Sequence, residues 1–503
     1  MRKFITYILS PLLTPMSLFL FLLLLLSGLY PCRESLAKPL WQQRFPFVHD
    51  EIPFEHPYQR VRVEEKPWKF INVIKNLQYI RKMSQMMPHS SQELEDYFEG
   101  RNEVGSQALD LSAHYRVDEQ EQSWRLGAVG DIMYIREGAK CFLRPPFTRR
   151  LAEQDILFGN LETPVVPKEK PSMLYKAKLR FNAPPALLDS LVDGGESGAF
   201  QGGDLPLFDV LSVVNNHSFD RGVQGLETTI DEVRKRAMVP VGMARELDEE
   251  QLAGRYQVIQ RNGLNIGFVA FTWGINKGVL SGPTPGYVNE IPFGVPGELP
   301  DLAELFQLLR LCREEGADLL VASLHWGYEF EYYPSPNFMQ IARLIAASGA
   351  DLIIGHGPHV IQPLEVLHVN LPEYEGTRHY VRDEQDPSPR TCLVAYSLGN
   401  FSTLMTSDPC RIGALLSVEV TRAKQYHLGV ERHIIKSAKL NLAYCQHESK
   451  LFISKPMTLY DVEWALSPKN PYDRLKKRVE EALDEVGSQR FQWRQSKSPW
   501  PEY

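Results

Sequence analysis

Two amides, an imidazole and a carboxylate directly follow an apolar segment in the stretch VVNNHSFDRG, residues 213–222. Asn215, Asn216, His217 and Asp220 are side chains that can bind a metal ion or move a proton. A surface loop would account for them equally well. The ends of the other apolar segments decide between these two interpretations.

Five further apolar segments end in the same way, each followed by side chains of the metal-ligand type. These side chains are Asp131; Asn160 and Glu162; His325 and Glu329; His356 and His359; and Asn400. The carboxyl ends of the strands in an α/β sheet form one rim where ligands bind, so residues distant in sequence converge there. Carboxylates, amides and imidazoles together suit Mn, Fe or Zn. A pair of such ions would clamp a phosphate-like group.

Taken singly, most of these residues have an ordinary structural explanation. An aspartate after a strand, such as Asp131, is usually a turn or helix-cap residue. His325 beside Trp326 is consistent with a core histidine, and Asn400 with a turn. Two imidazoles in the glycine-flanked GHGPHV, residues 355–360, are harder to explain by packing. The repetition at so many strand ends favours a metal site.

The apolar segments alternate with amphipathic ones from Trp124 onward. The predicted strands are RLGAVG, DILFGN, FDVLSVV, IGFVAFT, DLLVASL, DLIIG and CLVAYSL. GLETTIDEVRKRA, DLAELFQLLRLCREEG and NFMQIARLIAASG have the helical period. This alternation predicts an α/β core with buried strands.

Changes in composition divide the chain into four regions. They are a signal peptide or membrane anchor at 1–37, an accessory or spacer segment at 38–123, the α/β domain at 124–422, and a C-terminal extension at 423–503. The extension has one amphipathic helix candidate, YDRLKKRVEEALDEVG. Insertions at 193–204 and 368–390 interrupt the domain and are expected at its surface.

The N-terminal region has a basic head, Arg2 and Lys3, before an apolar run that is densest from Leu18 to Leu26. This pattern is typical of an export signal, with cleavage after Ala37. The apolar run is also long enough for an uncleaved anchor, and lipid attachment at Cys32 is a third alternative. Each alternative places the body of the protein outside the cytoplasm, in the cell envelope or periplasm or on the outer face of the membrane.

Charge and cysteine content exclude some classes of partner and site. The net charge is −7 and no basic stripe is present, which argues against nucleic acid as a partner. The six cysteines contain no CxxC pair, and a disulfide is permitted in an oxidising compartment. Cys312 and Cys392 are expected to be buried small apolar residues.

Together, these residues resemble the CapA family, which is named for poly-γ-glutamate capsule synthesis and belongs to the calcineurin-like metallophosphoesterase fold. The matching motifs are GDIM (130–133), NLETP (160–164), NNHSFDRG (215–222), HWGYE (325–329), GHGPHVIQ (355–362) and SLGNF (397–401). The resemblance covers about residues 125–420. It implies a four-layer α/β/β/α sandwich, in which two mixed β-sheets pack face to face with helices outside.

The resemblance also implies two divalent metal ions and their ligands. The expected ligands are Asp131 and His359 for the first ion, Asn216, His325 and His356 for the second, and Glu162 as the bridging carboxylate. His217 resembles the imidazole that protonates a leaving group or steadies transition-state charge, and Asp220 would fix its tautomer.

Other positions are expected to shape the substrate site. Asn160, Glu329 and Asn400 are expected to contact the substrate. Two positions depart from the usual metallophosphoesterase pattern. Met133 stands where Asp-x-His has its histidine, which weakens the first metal site, as it does throughout this family. Gly357 stands where GHHPH has its second histidine, which would alter specificity.

Three functions are compatible with these features. The first is an exported metal-dependent hydrolase acting on a phosphoester, or on an amide or ester bond of a cell-envelope polymer. The second is a non-catalytic, membrane-anchored factor that binds an acidic polymer through its metal and works with polymer-synthesis machinery. The third, a degenerate fold kept for protein–protein contacts, is disfavoured because a scaffold has no need of the intact histidines.

Overall fold

The computed structural model describes residues 94, 97, 98, 109–486 and 493–495, with internal gaps. The gaps are 114, 135–140, 145, 176–177, 194–205, 245–251, 253, 277–287, 292–299, 370–389, 426–430, 448–456 and 487–492. The predicted signal or anchor, most of the predicted spacer and most of both predicted insertions lie outside the described residues. Within the described ranges, no helix is both long and apolar enough to cross a bilayer.

The strands fall into two large sheets and one small one. The strands are β1 Leu109–Asp110, β2 Tyr115–Val117, β3 Ser123–Ile132, β4 Cys141–Leu143, β5 Ile156–Leu161, β6 Ser172–Tyr175, β7 Lys178–Asn182, β8 Val210–Ser212, β9 Val239–Val241, β10 Tyr256–Arg261, β11 Leu264–Thr272, β12 Leu319–His325, β13 Leu352–His356, β14 Leu364–Val369, β15 Arg390–Ala395, β16 Asn400–Ser402, β17 Ile412–Gln425, β18 Glu431–Gln446, β19 Met457–Asp461 and β20 Trp493–Gln495.

Helices connect many of these strands. The helices are α1 Phe147–Ala152, α2 Ala186–Asp193, α3 Gly222–Arg234, α4 Ala303–Glu314, α5 Pro336–Ala347, α6 Val462–Leu466 and α7 Asp473–Val486, with a 3-10 turn at Pro409–Arg411. The three helix candidates inside the domain correspond to α3, α4 and α5, and the candidate in the extension corresponds to α7. The alternation of strands and helices from Trp124 onward is therefore confirmed.

Sheet one has the order β4-β19-β18-β17-β3-β5-β8-β9, and β1, β2 and β16 attach beside it. The strands β3, β5, β8 and β9 are mutually parallel, whereas β17 runs antiparallel to both β3 and β18. Sheet two has the order β10-β11-β12-β13-β15-β14-β20, with a parallel centre from β11 to β15. Both large sheets are therefore mixed, as expected.

Alternating side chains place apolar residues on both faces of each sheet. In β12, Leu319 and Val321 belong to the core between the sheets, while Leu320 belongs to the core under α4 and α5. Phe158 of sheet one stacks on Phe268 of sheet two, with ring centroids 5.7 Å apart. A third apolar cluster lies under α1, α2 and α3 on the outer face of sheet one. The expected four-layer sandwich is confirmed.

Sheet one extends beyond the region 124–422 that the sequence suggested for the domain. β18 and β19 come from the region interpreted as a C-terminal extension, and β18 pairs along most of β17. β1 and β2 come from the region interpreted as a spacer and pair with β18 and β17. The sequence of β18, ERHIIKSAKLNLAYCQ, is polar on average because one face of this strand is partly exposed.

Cys312 and Cys392 are buried and unpaired, as expected from their apolar surroundings. Cys410 and Cys445 are also buried. Burial raises the pKa of the Cys445 thiol to about 11 and that of the Cys312 thiol to about 12. Cys312 and Cys445 are therefore packing residues, not nucleophiles.

Candidate metal centre

The predicted ligands meet because strand register aligns them at the carboxyl ends of the strands. In sheet one, Asp131 at the end of β3 is paired with Asn160 of β5 on one side and Asn400 of β16 on the other. In sheet two, His325 at the end of β12 is paired with His356 at the end of β13. Two polar rows, one from each sheet, thus face each other across the top of the sandwich.

Asp131 contacts side chains of both rows. Its Oδ1 lies 3.2 Å from His356 Nδ1, and its Oδ2 lies 3.3 Å from His359 Nδ1. Asn160 Nδ2 donates to Oδ1 at 2.9 Å, and the backbone N–H of Gly357 donates to Oδ2 at 3.1 Å. Burial alone would raise the pKa of Asp131, but the two neighbouring histidines outweigh it and lower this pKa well below its usual value.

Glu162 follows β5 and is fully buried. Two imidazole nitrogens lie close to it: His325 Nε2 is 3.7 Å from Oε1, and His359 Nδ1 is 3.8 Å from Oε2. Neither carboxylate oxygen has a hydrogen-bond partner among the described residues. Burial, reinforced by the negative charges of Asp131 and Glu329, raises the pKa of Glu162 well above its usual value. A bound cation would stabilise the ionised carboxylate of Glu162.

A buried polar atom without a partner costs free energy, so several together indicate a missing ligand. Besides Glu162, both ring nitrogens of His356 and Oδ1 of Asn216 are buried without hydrogen-bond partners in the described ranges. His356 Nδ1 is close to Asp131 but not aligned for a hydrogen bond. Ligand atoms of Asp131, Glu162 and His325 lie within 4.8 Å of one another. These residues fit a divalent metal ion.

His325 and His359 differ in the charge that they carry in the metal-free protein. Burial lowers the pKa of His325 to about 3, although the Asp131 carboxylate opposes this effect. Its imidazole is therefore neutral at pH 7, the form that binds metals. Burial also lowers the pKa of His359, but Glu162 and Asp131 outweigh it and raise this pKa to about 10. His359 thus supplies a positive charge between the two carboxylates.

His217 and Asp220 form a separate pair beside this cluster. His217 Nδ1 lies 2.6 Å from Asp220 Oδ2, and the imidazole stacks on Phe181 with centroids 4.0 Å apart at an interplanar angle of 15°. The backbone N–H of Phe181 donates to the same carboxylate oxygen at 2.7 Å. The ring is therefore held both in its plane and from one face. With Nδ1 engaged, Nε2 is the nitrogen available to a substrate.

Asn215 connects the His217–Asp220 pair to the candidate metal centre. Its side chain accepts from the backbone N–H of His217 at 3.1 Å and donates to Leu161 O at 2.8 Å and to Asn160 Oδ1 at 3.4 Å. Substituting this amide would therefore disturb both parts of the site. The sequence identified Asn215 as a metal-type side chain but gave no indication of this bridging position.

The three residues expected to contact substrate occupy different environments. Asn160 donates to Asp131, and Asn400 Oδ1 lies 3.0 Å from His359 Nδ1 while its Nδ2 donates to Cys410 O at 3.0 Å. Both amides are buried, and they hold Asp131 and His359 of the candidate metal centre in place. Glu329 is partly exposed and lies close enough to affect the pKa of Glu162 and His359. Substrate contact by these three residues stays a prediction.

Comparison with known proteins places this chain in a family. A family model described as bacterial capsule synthesis protein PGA_cap matches residues 125–403, more than half of the chain. The chain belongs to this family. The PGA biosynthesis protein CapA of Bacillus subtilis (strain 168) is 33% identical over 194 residues, 39% of this chain and 42% of that relative. That alignment thus spans less than half of the relative's length.

Two further matches are a second relative and a solved structure. The capsule biosynthesis protein CapA of Bacillus anthracis is 24% identical over 331 residues, 65% of this chain and 72% of that protein. The crystal structure of the calcineurin-like phosphoesterase YfkN from Bacillus subtilis aligns at 13% identity and a TM-score of 0.33, covering 73% of this chain and 98% of that chain. The fold assignment here rests on the chain's own two sheets.

Met133, the first departure from the usual pattern, provides no replacement ligand at the candidate metal centre. The Met133 sulfur accepts from Thr403 Oγ1 at 3.6 Å, and the side chain belongs to the apolar cluster under α1–α3. It therefore packs in the core and supplies no ligand in place of the missing imidazole.

The second departure, Gly357, has a backbone that disfavours a larger residue. Its φ is +103°, and a Cβ atom there would lie 2.7 Å from Trp326 O and 3.3 Å from His325 Nε2. A histidine at this position would require the backbone to change. Gly357 instead brings its own N–H to Asp131.

Two residues of the site were missed by the sequence interpretation. Phe181 stacks on His217, and Asn276 donates its backbone N–H to Asn216 O at 2.9 Å while its side-chain nitrogen lies 3.4 Å from His217 Nδ1. Phe181 lies within a strand that carries no metal-type pattern, and Asn276 comes a few residues after β11. Their roles depend on tertiary contacts that no local spacing reveals.

Proposed function

We propose that this chain acts in the synthesis of a capsular polymer of the poly-γ-glutamate type and carries a metal-dependent hydrolase site. The bond cleaved would be a phosphoester, or an amide or ester bond in a cell-envelope polymer. The observation that carries the proposal is the juxtaposition of buried, unpartnered ligand atoms on Glu162 and His356 with the oriented pair His217–Asp220.

The ligands would divide between two divalent ions, of Mn, Fe or Zn. Those expected to hold them are Asp131 and His359, then Asn216, His325 and His356, with Glu162 shared. When bound, such ions supply Lewis-acid polarisation of a phosphoryl or carbonyl oxygen and neutralise developing negative charge. The neutral form of His325 in the metal-free protein supports its role as a ligand.

His217 would move the proton. Asp220 accepts from Nδ1 and fixes which nitrogen faces away from the carboxylate, so Nε2 can donate a proton to a leaving-group oxygen or nitrogen. Phe181 covers one face of the ring and limits its rotation. Positioned acid catalysis of this kind contributes about 100- to 10,000-fold to a rate.

The test uses the full chain and its His217→Ala variant. Metal content is measured by mass spectrometry, and hydrolysis is measured with a phosphodiester and with a γ-glutamyl amide. We expect the variant to keep its metal and lose turnover by about 100-fold or more. His433→Ala is the matched control, because His433 pairs with Asp318 away from the cluster. Equal turnover in all three proteins would disprove the assigned role of His217.

A second function is supported by the names of the relatives, which denote capsule or PGA biosynthesis and no hydrolysis. In this alternative, the chain is a non-catalytic assembly or export factor that binds an acidic polymer through its metal, beside polymer-synthesis machinery. Metal-dependent binding of labelled poly-γ-glutamate, reversed by a chelator and without hydrolysis of any substrate, would favour it over the hydrolase.

We further propose that the site works outside the cytoplasm, delivered by residues 1–37. The basic head and apolar run of that region support export, either as a cleaved signal or as an anchor that holds the chain on the membrane. Fractionation of cells followed by N-terminal sequencing tests this. A mature chain that begins after Ala37 indicates cleavage, an intact one in the membrane fraction indicates an anchor, and an intact soluble cytoplasmic chain disproves export.

A further inference from the structure

A second buried charge cluster lies on the helix-covered side of sheet two, outside the ligand set. Glu365 of β14 is fully buried. Its Oε1 accepts from Tyr97 Oη at 2.5 Å and Arg343 Nη2 at 2.7 Å, and its Oε2 accepts from Tyr396 Oη at 2.6 Å. Arg343 Nη2 also donates to Tyr97 Oη at 2.8 Å. The hydroxyl of Tyr97 is therefore part of a fully paired buried network.

Tyr97 belongs to the region that the sequence suggested was a spacer. Leu94, Tyr97 and Phe98 have helical backbone and are buried in the apolar core that includes α4 and α5. Their spacing of three and four residues places them on one face of a helix. This short stretch is therefore an integral part of the domain core.

Tyr396 connects that network to His325. Its ring stacks on Trp326 with centroids 6.1 Å apart, and its backbone carbonyl accepts from Trp326 Nε1 at 3.2 Å. Phe98 packs edge-on against the same tyrosine at 6.4 Å. Since Trp326 directly follows His325 in the chain, a shift of Tyr396 would displace the backbone next to that histidine.

The same carbonyl also fixes the backbone next to His356. A Cβ atom on Gly355 would lie 1.9 Å from Tyr396 O, so the two backbones are in direct contact. Gly355 immediately precedes His356. Tyr396 is thus packed against the neighbours of both paired histidines.

We infer that Tyr97 and Phe98 are positioning residues for the metal centre: they fix Tyr396, through Glu365 and through ring packing, and Tyr396 fixes the backbone at His325 and His356. The inference rests on the metal-binding part of the proposed function. It gives Tyr97 and Phe98, which belong to the predicted spacer, a role in building the site.

Removing the Tyr97 hydroxyl would leave Glu365 with one donor fewer in a buried environment. Hydrogen bonds to charged groups are strong where water is excluded. Only part of the stabilisation lost with this hydrogen bond would affect the positions of His325 and His356. We therefore expect Tyr97→Phe to weaken Mn²⁺ binding by about 3- to 10-fold.

The experiment compares the full chain with Tyr97→Phe, Phe98→Leu and a control, Tyr115→Phe. Tyr115 is also a buried tyrosine, but it packs with Ala423 and Ile434 in a separate apolar cluster. Backbone amide hydrogen exchange is followed by mass spectrometry in the metal-free proteins, and Mn²⁺ affinity is measured by titration. We expect faster exchange in 325–330 and 352–362 for both Tyr97→Phe and Phe98→Leu, and wild-type exchange there for Tyr115→Phe.

Each outcome has a distinct meaning. Wild-type exchange at 325–330 and 352–362 in both variants would overturn the inference. Uniformly faster exchange that includes β17 and β18 would also overturn it, since that result indicates a general loss of stability. A wild-type chain that binds no Mn²⁺ would count against the proposed function, while the exchange comparison in metal-free protein would still decide whether Tyr97 and Phe98 position the two histidines.

Discussion

His325 and His356 stand directly opposite each other at the ends of adjacent parallel strands. The pairing of β12 with β13 continues from Val321–Leu352 to this pair without an insertion or bulge. Both imidazoles therefore leave the sheet at the same height. The two rings are therefore neighbouring candidate ligands at the same edge of sheet two. Four predictions follow from this arrangement and from the contacts around it.

Replacing His356 should remove metal while leaving the fold intact. Loss even of an indirect contact to a metal ligand costs about 10- to 100-fold in affinity, so we expect His356→Ala to bind Mn²⁺ at least 100-fold more weakly, roughly the top of that range. Titration of the metal-free chain measures this, with His433→Ala as control. Unchanged affinity in His356→Ala would exclude this imidazole as a ligand.

Asp220→Asn should reduce turnover without reducing metal content. The amide cannot supply the negative charge that faces His217 Nδ1 at 2.6 Å, and its NH₂ group would favour the wrong tautomer of the ring. We expect a loss of about 100-fold or more in kcat, with metal content as in the wild type. Phe181→Leu should give a smaller loss, because it removes the stacking and keeps the carboxylate. Full activity in Asp220→Asn would show that the pair has a structural role only.

Metal affinity should increase with pH because of His359. Its pKa is raised to about 10 in the metal-free protein, so at neutral pH a proton must leave the imidazole before it can bind a metal. Raising the pH towards 10 removes this competition, and affinity should rise by up to about tenfold per pH unit for this one proton. Mn²⁺ titrations at several pH values between 6.5 and 9 measure the slope. His359→Gln should bind more weakly and show a shallower slope; an equally steep slope would assign the proton to another group.

Gly357→Ala should destabilise the chain more than Gly263→Ala. Both glycines have positive φ, +103° and +90°, but a Cβ on Gly357 would meet Trp326 O at 2.7 Å whereas nothing lies within 4 Å at Gly263. The unusual backbone alone costs about 1–3 kcal/mol in each variant. The difference between their unfolding free energies therefore isolates the contact with Trp326 O and the His325 ring. Equal losses in chemical denaturation would show that the backbone relaxes to accommodate the methyl group.

The sequence predicted the parts of this protein that have a local signature. Apolar runs that end in ligand-type residues identified Asp131, Glu162, His325 and His356, since strand ends must meet at one rim. β18 was not predicted because one face of this strand is partly exposed, and its mixed polarity resembles that of an extension. The contributions of Phe181 and Tyr97 could not be predicted, because each depends on packing between segments far apart in the chain.

The proposed ligand set is divided between the two sheets, with Asp131, Glu162 and Asn216 from sheet one and His325, His356 and His359 from sheet two. A bound ion would therefore act as a cross-link across the seam of the sandwich, comparable in effect to a covalent staple between the two halves. By mass action, a ligand at 100 times its dissociation constant adds about 2.7 kcal/mol to the free energy of unfolding. Metal supply would then govern how long the folded domain survives, as well as what its site can do.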